Sequence, residues 1–104
     1  MASPYGWIIT ADHCGGNYKG HMYVRGSGTR AERNHLRAAL RSGQGSHFTL
    51  YDGDGNLDYA GRIIVPPGQE GGELWFKPLD WAKADTGSAS IRYLNTNTGV
   101  WEQL

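Results

Sequence analysis

A hairpin signal between His47 and Val65 constrains the fold more than any other part of this 104-residue sequence. It consists of two β-prone runs, residues 48–51 and 57–65, on either side of the turn-forming residues DGDGN. Apolar side chains share one face of each run, which predicts that this face is buried. In the second run these residues are Leu57, Tyr59, Ile63 and Val65. The stretch therefore predicts a β-hairpin whose apolar face other elements must cover.

Several shorter runs also favour strands, because they are rich in β-branched and aromatic residues and lie between turn-forming segments. They are residues 7–10, 21–25, 73–76, 90–94 and 100–104. The first run is apolar and is predicted to be buried on both faces. The last two are predicted to form a second hairpin in which Trp101 covers the core, and Pro78 to Trp81 is predicted to turn the chain.

One segment has the signals of a capped helix, predicted between Thr29 and Ser42. Thr29 and Glu32 match a capping box, in which each side chain accepts a hydrogen bond from the other residue's backbone amide. Good helix formers follow, and Ser42-Gly43 ends them. The helical period places apolar residues on one side, namely Leu36, Ala39 and Leu40. The side predicted to be exposed carries Arg30, Arg33, Arg37 and Arg41.

These elements predict one α+β domain over residues 1–104, with a curved antiparallel sheet or a partly open small β-barrel of five to six strands and one α-helix. The length suffices for a single core without metal or disulfide support. Sixteen glycines indicate many turns, and twelve aromatic residues suit a small sheet-rich domain.

Charge and cysteine content indicate the cellular compartment and the kind of partner. The single cysteine, Cys14, cannot form an internal disulfide, and the first residues, MASPYGW, do not resemble a secretory signal. We therefore expect a cytoplasmic protein without a membrane span. The net charge is zero, but residues 1–51 hold six basic against two acidic side chains, and residues 52–104 carry the balancing excess of acids. This asymmetry has two interpretations. It indicates a bipolar surface that meets a partner with its basic side, or it only reflects that the arginine-rich helix lies in the first half of the sequence.

The turn of the central hairpin resembles a calcium loop in part. Oxygen-bearing residues alternate there as they do at the first positions of an EF-hand, and they are Asp52, Asp54, Asn56 and Asp58. The position that requires glycine is Leu57, and the position that requires a bidentate glutamate is Ile63. The sequence therefore predicts a polar turn without a metal ion.

Two other patterns suggest chemistry and are incomplete. One pattern consists of His13, Cys14 and His21, which could provide zinc ligands or an activated thiol. The sequence contains no paired CxxC or HxxxH motif that would supply a fourth zinc ligand. The glycines of GSGT, residues 26–29, precede the helix but lack the spacing and the lysine of a phosphate-binding loop. No cofactor is expected, and a small Cys/His-dependent enzyme stays open as an alternative.

The strongest functional feature is the arginine side of the helix together with nearby cationic and aromatic residues. Guanidinium groups pair with carboxylates or phosphates, and aromatic rings stack on bases. The candidate binding residues are Arg25, Arg30, Arg33, Arg37, Arg41, Tyr18 and Tyr23. Three interpretations stay open: a solvated helix face, a surface for an acidic patch on a protein, or a nucleic-acid surface.

Five segments, WIIT, FTLYDGDGNLDYAGR, FKPLDWA, IRYL and VWEQL, resemble small uncharacterised proteins encoded by bacterial phages and plasmids. The resemblance implies action on a host complex, in the manner of anti-CRISPR and other counter-defence proteins. Many such inhibitors imitate DNA by being strongly acidic, and this chain is neutral.

We therefore expect a non-enzymatic binding module that acts by protein–protein interaction, with a partner that carries an acidic patch. RNA or single-stranded DNA binding through the arginines and aromatic residues is the alternative. The sequence leaves the oligomeric state open.

Overall fold

The computed structural model describes residues 3–104, which form an α+β domain around one six-stranded antiparallel sheet. The strands are β1 (Tyr5–Asp12), β2 (Met22–Arg25), β3 (Ser46–Tyr51), β4 (Leu57–Ile64), β5 (Ser90–Asn95) and β6 (Val100–Gln103). Helix α1 spans Arg30–Arg41, and helix α2 spans Lys77–Asp85 directly after a short 3-10 helix over Glu73–Phe76.

The strand order is β2-β1-β4-β3-β5-β6, so the predicted central hairpin lies in the middle of the sheet. Both predicted hairpins, β3–β4 and β5–β6, are confirmed. The sheet is open, with β2 and β6 at its edges, and this settles the choice between an open sheet and a barrel. The predicted α+β class with antiparallel strands is confirmed.

Helix α1 begins where the sequence predicted. The Thr29 hydroxyl accepts a hydrogen bond from the Glu32 amide at 3.1 Å, and the Glu32 carboxylate accepts one from the Thr29 amide at 2.8 Å. Leu36 and Leu40 are buried against Ile8. The side of the sheet on which this helix packs is called the α1 side.

The larger core lies on the opposite side of the sheet, called the α2 side. Alternate residues of the strands are buried there, and Leu79 and Ala82 of α2 close over them. The buried strand residues are Trp7, Ile9, Phe48, Leu50, Tyr59, Ile63, Ile91 and Tyr93. Strand β1 is buried on both faces, as predicted, because it has a helix on each side.

The segment from Glu73 to Trp81 corrects the sequence prediction. The predicted strand over Glu73–Phe76 is a 3-10 helix, and the predicted turn at Pro78 lies in the first turn of α2, so the protein has two helices where one was predicted. Proline is tolerated there because the first amides of a helix have no intrahelical acceptor. Leu79 and Ala82 lie three residues apart and therefore share the buried side of α2.

Two predictions about core residues are also wrong. Leu50 pairs with Tyr59 and Tyr51 pairs with Leu57, so Asp58 is an extra residue that interrupts the alternation, and Leu57 is exposed. Trp101 does not cover the core; it is 41% exposed on the edge strand β6. Within residues 3–104, no helix has the length and apolar character to cross a membrane.

Candidate binding surface

Helix α1 covers only part of its side of the sheet. It contacts β1, β2 and β4, whereas the main contacts of β3 and β5 are with other strands. The uncovered strands are consecutive in the sheet, in the order β3-β5-β6. They leave a continuous surface beside α1, which we call the open half-sheet.

The strand register defines the side chains of the open half-sheet. Arg62 pairs with His47, Thr49 pairs with Arg92, and Arg92 pairs with Gln103 across the strands. Leu94 pairs with Trp101 in the same way. The surface therefore consists of His47, Thr49, Tyr51, Arg62, Arg92, Leu94, Trp101 and Gln103.

The two sides of β3 and β5 differ sharply in burial. Phe48, Leu50 and Ile91 on the α2 side are fully buried. On the open half-sheet, Arg92 is exposed and His47 is partly buried, and only Thr49 is buried. Since alternate residues of one strand point to opposite faces, the difference arises because α2 covers one face and no helix covers the other.

Aromatic rings and guanidinium groups are paired on the open half-sheet. The guanidinium carbon of Arg92 lies 4.5 Å from the centroid of the Tyr51 ring, which is a cation–π contact. His47 meets Trp101 edge-on, with ring centroids 6.5 Å apart. Burial and the charge of Arg62 lower the pKa of His47 below its ordinary value of 6.5. The lowered pKa favours the neutral form of the His47 imidazole.

The four arginines of α1 lie on the same side of the sheet but differ in exposure. Arg30 and Arg41 are exposed, whereas Arg33 and Arg37 are partly buried. Arg33 donates a hydrogen bond to the Gly26 carbonyl oxygen at 2.6 Å. At 100° per residue, Arg33 lies only about 20° from Leu40 around the helix, which explains its partial burial.

Arg25, Tyr18 and Tyr23, the other predicted binding residues, lie on the α2 side. The guanidinium carbon of Arg25 is 5.8 Å from the Trp7 ring centroid and 5.7 Å from that of Tyr23. Tyr18 and Tyr23 each contact Trp81 of α2, at centroid distances of 5.2 and 5.1 Å. The seven candidate residues therefore form two groups, separated by the sheet. The two tyrosines support the core around Trp81.

The charges are divided between the two sides of the sheet. The α1 side carries the arginines of α1 and of the open half-sheet, which are Arg30, Arg33, Arg37, Arg41, Arg62 and Arg92. The single carboxylate of α1, Glu32, is held in the capping box. The α2 side carries a mixture, with Glu73, Asp80, Asp85 and Glu102 beside Arg25, Lys77 and Lys83. The arginines of α1 and of the open half-sheet therefore lie on one side of the sheet, although Arg62 and Arg92 come from the half of the sequence with the excess of acids.

The Cys14 region does not gather the groups of a reactive thiol. The Cys14 thiol lies 3.8 Å from the Asp58 carbonyl oxygen, and desolvation together with the Asp58 carboxylate raises its pKa. The raised pKa keeps the thiol protonated at neutral pH, and the thiolate is the nucleophilic form. Within residues 3–104, no three His, Cys, Asp or Glu side chains are grouped to hold a metal ion.

The carboxylates of the central turn serve local structure. One Asp52 oxygen accepts hydrogen bonds from the Asp54 and Asn56 amides, both at 2.9 Å. Asp58 is buried apart from them and accepts a hydrogen bond from the Ser88 hydroxyl at 2.6 Å. The alternating oxygens therefore do not converge on one point.

Comparisons of the chain with protein-family models, curated proteins and solved structures found no match. None of the eight residues of the open half-sheet was among the predicted binding residues, including its aromatic and cationic side chains Tyr51, Arg62, Arg92 and Trp101. The alternation of Arg92 with Ile91 and Tyr93 predicts that Arg92 faces away from the core. The sequence does not tell whether a helix covers that face.

Proposed function

We propose that this protein is a non-enzymatic binding module that holds or occludes an anionic macromolecule with the α1 side of its sheet. One observation carries the proposal: the arginines of α1 and of the open half-sheet share one side, and the only carboxylate of α1 is engaged in its cap. Arginine is well suited to such a surface because its planar fork pairs with carboxylates and phosphates.

The surroundings of Cys14 support a binding role over the alternative of a Cys/His-dependent enzyme. A nucleophilic cysteine requires a lowered pKa or a base beside it, and here the pKa is raised. His13 and His21 are exposed, and the ring of His21 packs on Tyr18. A Cys14→Ser variant should therefore capture its partner as the natural protein does.

Two classes of anionic partner fit this surface. One is a protein with an acidic patch, which is the partner that the sequence favoured. In that case the resemblance to phage- and plasmid-encoded proteins suggests an inhibitor of a host defence complex, in an anti-CRISPR-like role in the cytoplasm. The other class is RNA or single-stranded DNA, and the aromatic rings of the open half-sheet favour it.

Charge reversal on α1 tests the proposal. Arg30 and Arg41 are exposed at opposite ends of the helix, so the double variant Arg30→Glu, Arg41→Glu should fold normally. It should lose most of its capture of the native partner, because reversed charges repel an anionic surface and each lost anchor is worth about 2 kcal/mol. Capture is measured by affinity purification from the native host and mass spectrometry.

The matched control changes the same charge on the other side of the sheet. Lys77→Glu, Lys83→Glu on α2 alters the net charge equally and should leave capture unchanged. Equal capture by both double variants, with folding verified by circular dichroism, would contradict the proposal and leave the arginines as a solvated face.

A further inference from the structure

We infer that the open half-sheet binds single-stranded nucleic acid, with bases stacked on Trp101 and on the Arg92–Tyr51 pair and phosphates held by arginines. The inference rests on the proposed function, because it names the anionic macromolecule that the α1 side holds. It assigns binding to residues of β3–β6 and not to the helix alone.

The planar groups of the open half-sheet are accessible to a base. Trp101 is 41% exposed and belongs to the edge strand β6, where only one strand flanks it. Arg92 is exposed, and its guanidinium carbon lies 4.5 Å from the centroid of the Tyr51 ring. Unpaired bases stack on aromatic rings and on guanidinium planes, and antiparallel sheet faces present such groups to RNA in other proteins.

The charges of this surface complement a phosphate backbone. Arg62 on β4 and Arg92 on β5 are separated by one strand, or about 10 Å at the usual strand spacing. Strands β3, β5 and β6 present no carboxylate on this face: Glu102 points to the α2 side, where Asn95 donates a hydrogen bond to it at 3.3 Å. Phosphates approaching between the two arginines therefore meet cations and no opposing charge.

The exposed rings favour a single strand over the other anionic partners. In a duplex the faces of the bases are stacked on one another. A duplex would therefore contact the arginines through its phosphates and would not stack on Trp101. An acidic patch on a protein supplies carboxylates for the arginines but no nucleobase to stack on the exposed ring of Trp101.

Fluorescence anisotropy with labelled oligonucleotides tests the inference on the whole chain. A 15-residue oligothymidylate and an oligouridylate of equal length are the probes, with a DNA duplex and poly-glutamate as competitors. We expect binding that weakens steeply as salt increases, because phosphate contacts release counterions. Trp101→Ala should weaken it about 5- to 150-fold, the range of one lost stacking contact, and Arg92→Gln should also weaken it.

Two controls of matching chemistry lie on the α2 side. Phe76→Ala removes an exposed aromatic ring and Lys83→Gln removes an exposed cation, and both should bind the oligonucleotide normally. Quenching of tryptophan fluorescence by the oligonucleotide should diminish in Trp101→Phe, which keeps a ring at the position.

Several results would overturn the inference. One is a dissociation constant above roughly 100 µM, the weak end of non-specific binding at physiological salt. Others are equal weakening by the control variants and duplex binding as tight as single-strand binding. Displacement of the oligonucleotide by poly-glutamate at equal charge is a further one. Trp101-dependent dimers in sedimentation would also overturn it, because a second copy would then cover the surface. Partner capture that depends on Arg30 and Arg41 without oligonucleotide binding would leave the proposed function standing and refute this inference alone.

Discussion

The guanidinium carbon of Arg92 lies 4.5 Å from the centroid of the Tyr51 ring, on a face of the sheet that neither helix covers. The two residues come from neighbouring strands, and the pairing of Thr49 with Arg92 brings them together on a diagonal. The contact covers part of a half-buried ring and holds the guanidinium of Arg92 beside it. It exists only because β3 and β5 are neighbours in the sheet although α2 and long loops separate them in sequence.

The pKa of His47 should respond to Arg62. Burial is the larger cause of its lowering and the Arg62 charge is the second. In Arg62→Gln the pKa of His47 should therefore increase but stay below 6.5. Proton titration of the imidazole by NMR measures it, and Arg92→Gln serves as the control. A His47 pKa unchanged in Arg62→Gln would show that the two side chains do not interact.

The same shift predicts how stability depends on pH. The lowered pKa means that the unfolded chain binds a proton at His47 more readily than the folded protein does. The resulting stabilisation is present above pH 6.5 and is lost as the pH falls through the folded pKa. Melting temperatures between pH 5 and 7.5 should show this decline in the natural protein and a weaker one in His47→Gln.

Gly61 should not tolerate alanine. An added Cβ would collide with the Ile8 carbonyl oxygen and with the Phe48 ring, both of which are fixed in the centre of the sheet. We expect Gly61→Ala to cost about 3 kcal/mol in unfolding free energy, measured by urea denaturation. Gly53→Ala is the control, since nothing lies within 4 Å of its added Cβ. Equal stability of the two variants would mean that β1 and β4 are farther apart than described.

The buried hydrogen bond from Ser88 to Asp58 should stabilise the fold only as a pair. Ser88→Ala leaves the Asp58 carboxylate without its donor and should cost about 1–3 kcal/mol. In an Asp58→Ala background the same change should cost much less, because no orphaned acceptor remains. A double-mutant cycle by urea denaturation measures the coupling. Additive effects would show that the pair does not interact.

The cap of α1 should weaken in acid. Hydrogen bonds from Thr29, first from its backbone and then from its side chain, lower the pKa of Glu32 below its ordinary value of 4.5. A carboxyl group with a lowered pKa stabilises the folded state above the unfolded pKa and loses that effect as the pH falls. Glu32→Gln should therefore melt earlier than the natural protein at pH 7, with the difference shrinking below pH 4.5. An equal difference in melting temperature at pH 7 and at pH 3 would contradict this prediction.

Local sequence signals predicted α1 and the two hairpins. The cap of α1 depends on Thr29 and Glu32, which are three residues apart, and the β3–β4 turn depends on Asp52, whose carboxylate satisfies amides within four residues. Interactions of this range are specified by neighbouring residues and therefore form independently of the tertiary contacts around them.

Predictions failed where one local pattern allows two structures. Glu73–Phe76 is aromatic enough for a strand, but no sheet edge receives it, and it forms a 3-10 helix instead. The alternation of β4 failed at Asp58, because the extra residue in the pairing with β3 is visible only when both strands are aligned.

The sequence alone determined the class of the fold, the position of α1 in the chain and the side of α1 that carries its arginines. These features follow from hydrophobic periodicity and short-range capping. Only the tertiary structure decided that Trp101 is exposed and that Arg92 lies over Tyr51. It also decided that Tyr23 lies on the side of the sheet opposite α1. The reason is physical: a strand's pattern tells which residues share a face, but whether that face is covered depends on where helices distant in sequence pack.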